Sequence, residues 1–296
     1  MKSLTRRRYI GLLFIAPWII GFLVLQLYPF ITSLIYSFAE YNIMSSPKFI
    51  GIQNYVQLLT KDREFWNSLR VTVVYTLFTV PGKLVVALLV AVLMNKNMRG
   101  VNAIRTIYYL PSLFGGSIAV SILWKLMFQN TGIINQIIGV VGIKPVKWLG
   151  NPQTAMPVII MQNLWQFGSA FVMFLAALKN VPSELYEAAE IDGAGRVTQF
   201  FRITLPQISS IIFFNIIMQT ITALQSFTGP MVITNGGPLK ATYVLGLKLY
   251  TEAFSYYKMG YACAISWVIF ILIMAVTGVL FRFSSMVVYY EDKGDF

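Results

Sequence analysis

Gln162, Trp165, Gln166 and Ser169 fall at i, i+3, i+4 and i+7 of one apolar stretch. Asn215, Gln219, Thr222 and Ser226 fall at i, i+4, i+7 and i+11 of another. Each set lies on one face of a helix. Amides and hydroxyls do not exchange protons near neutral pH; they donate and accept hydrogen bonds. Facing lipid they would be costly, so each stripe must face protein or water. Two uses are open: hydrogen-bond glue between helices, or the wall of a polar cavity. Lys83, in "TVPGKLVVALL", adds an ionisable group near the middle of a third apolar stretch. It also has two uses, a contact with a backbone carbonyl or a partner subunit, and a cation lining a cavity. An intramembrane charge calls for a functional test by default, although the balance here leans slightly to the structural contact.

A second polar island is built differently. "SELYEAAEIDGAGRVTQFFRITLP", Ser183 to Pro206, holds four of the eleven acidic residues: Glu184, Glu187, Glu190 and Asp192. Pro182 and Ser183 predict a helix start with Ser183 as N-cap, and Glu184 and Glu187 stand near the positive end of the helix dipole. Gly193 predicts its end, because glycine tolerates the left-handed conformation there. A second amphipathic piece, "GRVTQFFRITL", follows, and Pro206 opens the next apolar helix, where its missing N–H costs little. Ala188 and Ala189 leave room for a partner to approach, and the acids can pair with basic groups on it.

The elements around both islands are those of a membrane protein. Hydrophobic residues make up 57% of the chain and charged residues 11%, against roughly a quarter charged in a soluble domain. Six apolar stretches reach the roughly 20 residues needed to cross a bilayer: about 9–38, 69–94, 104–128, 155–178, 207–227 and 261–281. The first follows "KSLTRRR" but is longer than a signal-peptide core and has no A-x-A site after it, so it reads as a retained helix. With its start in the cytoplasm, twelve Lys and Arg fall inside and nine outside, the sign expected of inside loops. Both termini and the 183–206 segment are then cytoplasmic.

Composition also closes several routes. There is no histidine and one cysteine, Cys263, which speaks against zinc sites, disulfides and histidine-based catalysis. No GxxxxGK[ST] loop is present to bind ATP. The net charge of +12 is accounted for by membrane loops and does not call for nucleic acid.

The polar island carries a longer pattern: Glu187-Ala188-Ala189, three residues to Gly193, nine to Ile203 and one to Leu205-Pro206. It resembles the EAA signature of permease subunits of ATP-binding-cassette importers; the plainer alternative is a solvated loop joining two helices. "LYPFITSLIYSF", "FIGIQNYVQLL", "RTIYYLPSL", "ELYEAAEIDGAG", "TNGGP" and "MGYACAIS" extend the likeness to carbohydrate-import permeases over essentially the whole chain. "TNGGP" resembles the maltose-type first permease of the pair, without that permease's large extracytoplasmic domain and extra N-terminal helices.

The resemblance implies an all-α integral membrane protein. It would be a single permease domain over 1–296 with six transmembrane helices and a cytoplasmic EAA coupling helix between helices 4 and 5. Glu187, Ala188, Ala189, Asp192 and Gly193 would then dock into the ATPase. The implied partners are a second homologous permease, two ATPase subunits that bind ATP and Mg, and an extracytoplasmic sugar-binding protein. The chain itself would hold no cofactor and no metal. Its place is the cytoplasmic membrane of a bacterium or archaeon.

Family positions that contact sugar fall on Gln162, Trp165, Gln166, Ser169, Gln219, Thr222 and Ser226, which tips the stripes toward a cavity. An amide pair beside an indole suits the hydroxyls and C–H faces of a sugar, and the likeness implies an oligosaccharide. The identities differ from the maltose pattern and imply a different sugar. A Lys83 in the path would suit an acidic one such as a uronate. The competing function is a secondary active transporter of a small polar solute. That class usually uses intramembrane acids or broken helices, and no acid lies in the six predicted spans. A membrane enzyme lacks any catalytic constellation here.

Overall fold

The computed structural model describes residues 14–95 and 100–284. Residues 9–13 of the first predicted span, the N-terminal basic run, Lys96, Arg99 and Lys293 lie outside the described residues. Helix α1 (Phe14–Ser37) leads into an antiparallel hairpin, β1 (Ala39–Glu40) and β2 (Lys48–Phe49), with Ala39 opposite Phe49. Helix α2 (Arg63–Met94) follows. Helices α3 (Val101–Leu113) and α4 (Ile118–Met127) meet at 100°, and a short α5 (Ile133–Val140) comes next. Helices α6 (Pro152–Trp165) and α7 (Gly168–Lys179) meet at 45°. After α8 (Ser183–Ile191), helices α9 (Arg196–Gln207) and α10 (Ser209–Leu224) meet at 66°. Helices α11 (Thr228–Thr234), α12 (Leu245–Tyr250) and α13 (Met259–Arg282) complete the described chain.

The all-α reading holds, and the six apolar stretches divide into two kinds. Helices α1, α2 and α13 are uninterrupted and long and apolar enough to cross a bilayer. The predicted stretches 104–128 and 155–178 are each two helices with a break. The stretch 207–227 ends near α10 but is joined to α9 by a sharp bend, which brings the candidate spans to six if each bent pair is counted once. Hydropathy sums along the chain and carries no sense of direction, so it cannot register a bend inside an apolar run.

The chain forms two compact units, residues 1–62 with 249–270 and residues 63–248 with 271–296. In the first, α1 exposes apolar residues all round, as a lipid-facing helix does. Its end is fixed by Asn54, whose Nδ2 donates to the carbonyls of Ser37 and Ala39 at 2.9 and 3.0 Å. The Ser37 carbonyl is one of the orphan acceptors at a helix C-terminus. Trp267 packs on Phe30 with ring centroids 4.7 Å apart, and the Tyr261 hydroxyl donates to Asp62 at 2.6 Å.

In the second unit, α2 packs on α6, α7 and α10. Its buried face carries Val71, Tyr75, Ala87 and Ala91, spaced in multiples of four. Ala87 and Ala91 on α2 and Ala170 on α7 are fully buried, and Phe171 and Phe174 fill the space beside them. Lipid tails are as apolar as leucine, so such helices are held by close contact and not by escape from water. Gly168 at the start of α7 permits a close approach: a Cβ there would stand 2.7 Å from Ser112 Oγ and 2.9 Å from Tyr109 Cα of α3. Any larger residue would push α3 and α7 apart.

Candidate functional site

Within the second unit, α2, α3, α4, α6, α7, α10 and α11 surround a cavity of about 350 Å³. From α6 and the turn after it come Gln162, Asn163 and Gln166, and from the first turn of α7 comes Ser169. Helix α10 supplies Gln219 and Thr222, and the segment after it supplies Gln225 and Ser226. Helix α2 contributes Tyr75 and Lys83, and the α3–α4 corner contributes Ser112, Gly115, Gly116 and Ser121. Thr228 and Gly229 of α11 close the remaining side.

The wall is partly satisfied by its own hydrogen bonds. Gln162 is 3% exposed, and its Nε2 donates to Ser121 Oγ at 2.9 Å. Its Oε1 has no partner, and neither has the buried Ser112 Oγ. Gln166 Nε2 donates to the Gly115 carbonyl at 2.7 Å, so the amide supports the α3–α4 corner from across the cavity. Thr222 Oγ1 donates back to the Met218 carbonyl at 2.8 Å, which leaves its oxygen lone pairs for another donor. Buried polar atoms are nearly always paired, and a wall that leaves amide and hydroxyl atoms unpaired is suited to a solute rich in hydroxyls.

Six of the seven residues predicted for the path line this cavity. The seventh, Trp165, does not. It is the last residue of α6, and the chain leaves helical geometry at Gln166 (φ −88°, ψ 40°). Its indole lies against Trp124 of α4, with centroids 5.7 Å apart and the ring planes tilted by 37°. Asn215, on the second predicted stripe, is also absent from the wall; its Nδ2 donates to the Ile211 carbonyl at 2.9 Å. Sequence reasoning missed Ser112 and Ser121, whose signal was a serine on either side of the break in "LPSLFGGSIAVS". Asn163 and Gln225 each sit beside a predicted residue and also line the cavity.

The predicted docking segment forms a helix, a turn and a second helix. Helix α8 begins at Ser183, with Pro182 in the cap position and no side-chain cap bond. The predicted Ser183 N-cap is therefore corrected: Pro182 cannot continue a helix backward, and Ser183 becomes the first helical residue. At the other end Gly193 is left-handed (φ +77°). Ala194 N donates to Ala189 O at 2.8 Å and Gly193 N to Glu190 O at 3.0 Å, the paired bonds of a Schellman cap. Tyr186 Oη and Thr204 Oγ1 lie 2.8 Å apart and tie α8 to α9. No residue of α8 is buried. Glu187, Ala188, Asp192 and Gly193 are exposed and Ala189 is half-buried. Ile191 and Val197 are 87% and 72% exposed, so the segment presents apolar and acidic side chains together.

Comparison with known proteins places the chain. Residues 60–289 match the family described as binding-protein-dependent transport system inner membrane component. The chain is 44% identical over 295 residues to the probable ABC transporter permease protein YesP of Bacillus subtilis strain 168, covering 99% of this chain and 96% of that one. It is 33% identical over 282 residues to the trehalose/maltose transport system permease protein MalF of Thermococcus litoralis, covering 93% and 94%. The fold matches a chain of a bacterial alginate ABC transporter solved with an alginate pentasaccharide-bound periplasmic protein. That match has a TM-score of 0.83 at 21% identity and covers 96% of both chains. The chain belongs to the family of binding-protein-dependent transport system inner membrane components, as a permease of the ATP-binding-cassette class and not an enzyme.

Proposed function

We propose that this chain is the first permease of a pair that carries an oligosaccharide inward across the cytoplasmic membrane. Both termini would be cytoplasmic, and the spans would follow the six apolar stretches. An extracytoplasmic sugar-binding protein delivers the solute, the second permease completes the path, and two ATPase subunits holding ATP and Mg dock on 183–206. The observation that carries this reading is convergence. Gln162, Gln166 and Ser169 from one stripe and Gln219, Thr222 and Ser226 from another meet on one cavity, although the stripes lie far apart in sequence. Gln162 and Gln166 each hold the α3–α4 corner through one N–H, but the two stripes do not bond to each other; they surround a space.

The relatives support the solute class: the Thermococcus protein is named for trehalose and maltose, and the structural neighbour for alginate. The test is uptake by the whole complex in proteoliposomes. Gln166→Leu removes a cavity amide and the support of the α3–α4 corner. Transport efficiency should fall on the order of tenfold, as expected when a buried polar group loses its partner. Unchanged uptake with every candidate sugar would remove the cavity from the path.

A further inference from the structure

Among the described residues, Lys83 is the one charged residue that lines the cavity. It lies about two thirds of the way along α2 and is 8% exposed. Among the described residues its ammonium makes no hydrogen bond and no ion pair, and no carboxylate lines the cavity with it. The local sequence "VPGK" sets it there. Gly82 lets α2 close on Leu164 of α6, since a Cβ at residue 82 would already touch that side chain at 3.3 Å. Val80 and Leu84 on either side are buried in the core, so the backbone at Lys83 is held firmly. Ser112 Oγ and Gln162 Oε1, both buried and unpartnered, line the same space.

A charge held inside a bilayer-spanning bundle costs free energy. A neutral solute gives no return for it, because the neighbouring glutamines already supply donors and acceptors without charge. The backbone-carbonyl contact weighed from sequence is absent. What an ammonium adds over an amide is attraction for an anion. One unpaired cation balances one negative charge, which fits a carboxylate better than a phosphate, whose charge at pH 7 is about −1.5 to −2.

We propose that the cavity takes an acidic oligosaccharide and that Lys83 receives the carboxylate of a uronate unit, with Ser112 and Gln162 at its hydroxyls. This rests on the cavity being the sugar path. The test uses the complete complex with its binding protein in proteoliposomes and two probes, trigalacturonate and trimannuronate. The wild-type complex should import at least one of them. Lys83→Met should lower that uptake on the order of 10- to 100-fold, the loss of a charge-assisted hydrogen bond, in a complex that still assembles. Lys83→Arg, which keeps the charge, should retain uptake within about fivefold by the same account.

A wild-type complex that carries neither uronate overturns the proposal. So does undiminished uptake in Lys83→Met, or equal loss in the Met and Arg variants, which would show a need for shape and not charge. Failure of both Lys83→Met and Lys83→Gln to assemble would make the lysine a contact to the second permease, and overturn it too. Gln166→Leu separates the two readings. Impaired import there with undiminished uptake in Lys83→Met removes the charge assignment and keeps the path, whereas undisturbed uptake in both removes the path.

Discussion

The chain has two polar islands, and they face opposite ways. Around the cavity, polar side chains from seven helices turn inward, and several are half satisfied: Gln162 donates to Ser121 and leaves its Oε1 free. On α8 the backbone is closed by its own cap and no side chain is buried. The first arrangement leaves unpaired atoms in a confined space, where water or a small solute must meet them. The second leaves acids beside apolar residues such as Ile191 on an open surface, which only a broad partner can cover. The two sets of polar residues therefore differ in the direction they face, one into an enclosed space and the other onto an open surface.

If that contrast is right, a label should tell the two sides of the membrane apart without any change in folding. Cysteines at Val197 and Val141, in a background with Cys263 replaced, should react from opposite sides: Val197 only from the cytoplasm and Val141 only from outside. Both positions are well exposed, 72% and 77%. Gln199, an otherwise obvious reporter in the docking segment, is 8% exposed and donates to the Ala194 carbonyl at 3.1 Å, so it would report poorly. Labelling of both sites from outside would break the proposed topology, and with it the assignment of α8 to an ATPase. This is an all-or-none outcome.

Next in size is the docking surface itself. Glu187→Lys reverses an exposed charge that the cap does not use, so α8 should keep its form. Pairing across a protein interface is worth about 1.5–7 kcal/mol for close charges. The variant should lose at least tenfold in coupled uptake while the complex remains in the membrane. Gly193→Val attacks the same surface through the backbone, since a β-branched residue at φ +77° is strained. Normal sugar-stimulated ATP hydrolysis and uptake in both variants would sink the docking role.

The two islands were unequally legible. Helix α8 could be bounded almost to the residue from Pro182 and Gly193, because proline and glycine act locally and their effect does not depend on what packs nearby. The one error, the cap at Ser183, is a single position. In the cavity, six of the seven path residues line the wall, among them Gln166, Ser169 and Ser226 at or beyond helix ends. What stayed hidden was the α3–α4 corner. The Pro111 and Gly115–Gly116 signals were present in the sequence, but they sat inside an apolar run and were absorbed into one predicted span. Ser112 and Ser121 reach the cavity only because that run turns through 100°, and a turn's direction is set by packing across the bundle. Lys83 was visible as an oddity, but its lack of an internal partner is a fact of three dimensions.

The smallest expected effect is also the sharpest on this point. Trp165 was placed in the path by the family resemblance, and its replacement would then cost on the order of tenfold or more in transport. The structure turns it out of the cavity onto Trp124, whose Nε1 donates to the Val158 carbonyl at 3.0 Å. The indole is 40% exposed, so part of its surface is not packed at all. Trp165→Ala should therefore cost the aromatic pair, about 0.5–1.5 kcal/mol, together with the packing of the covered part of the indole, seen as a lowered melting temperature of the assembled complex. Uptake should change by about twofold or less, because the α6–α7 break is fixed independently by Gln166 and the buried Phe167. Trp165→Phe should restore most of the stability. If instead Trp165→Ala abolished uptake and left the melting temperature alone, the indole would belong to the path, and the inward-facing island would extend beyond the cavity wall to the end of α6.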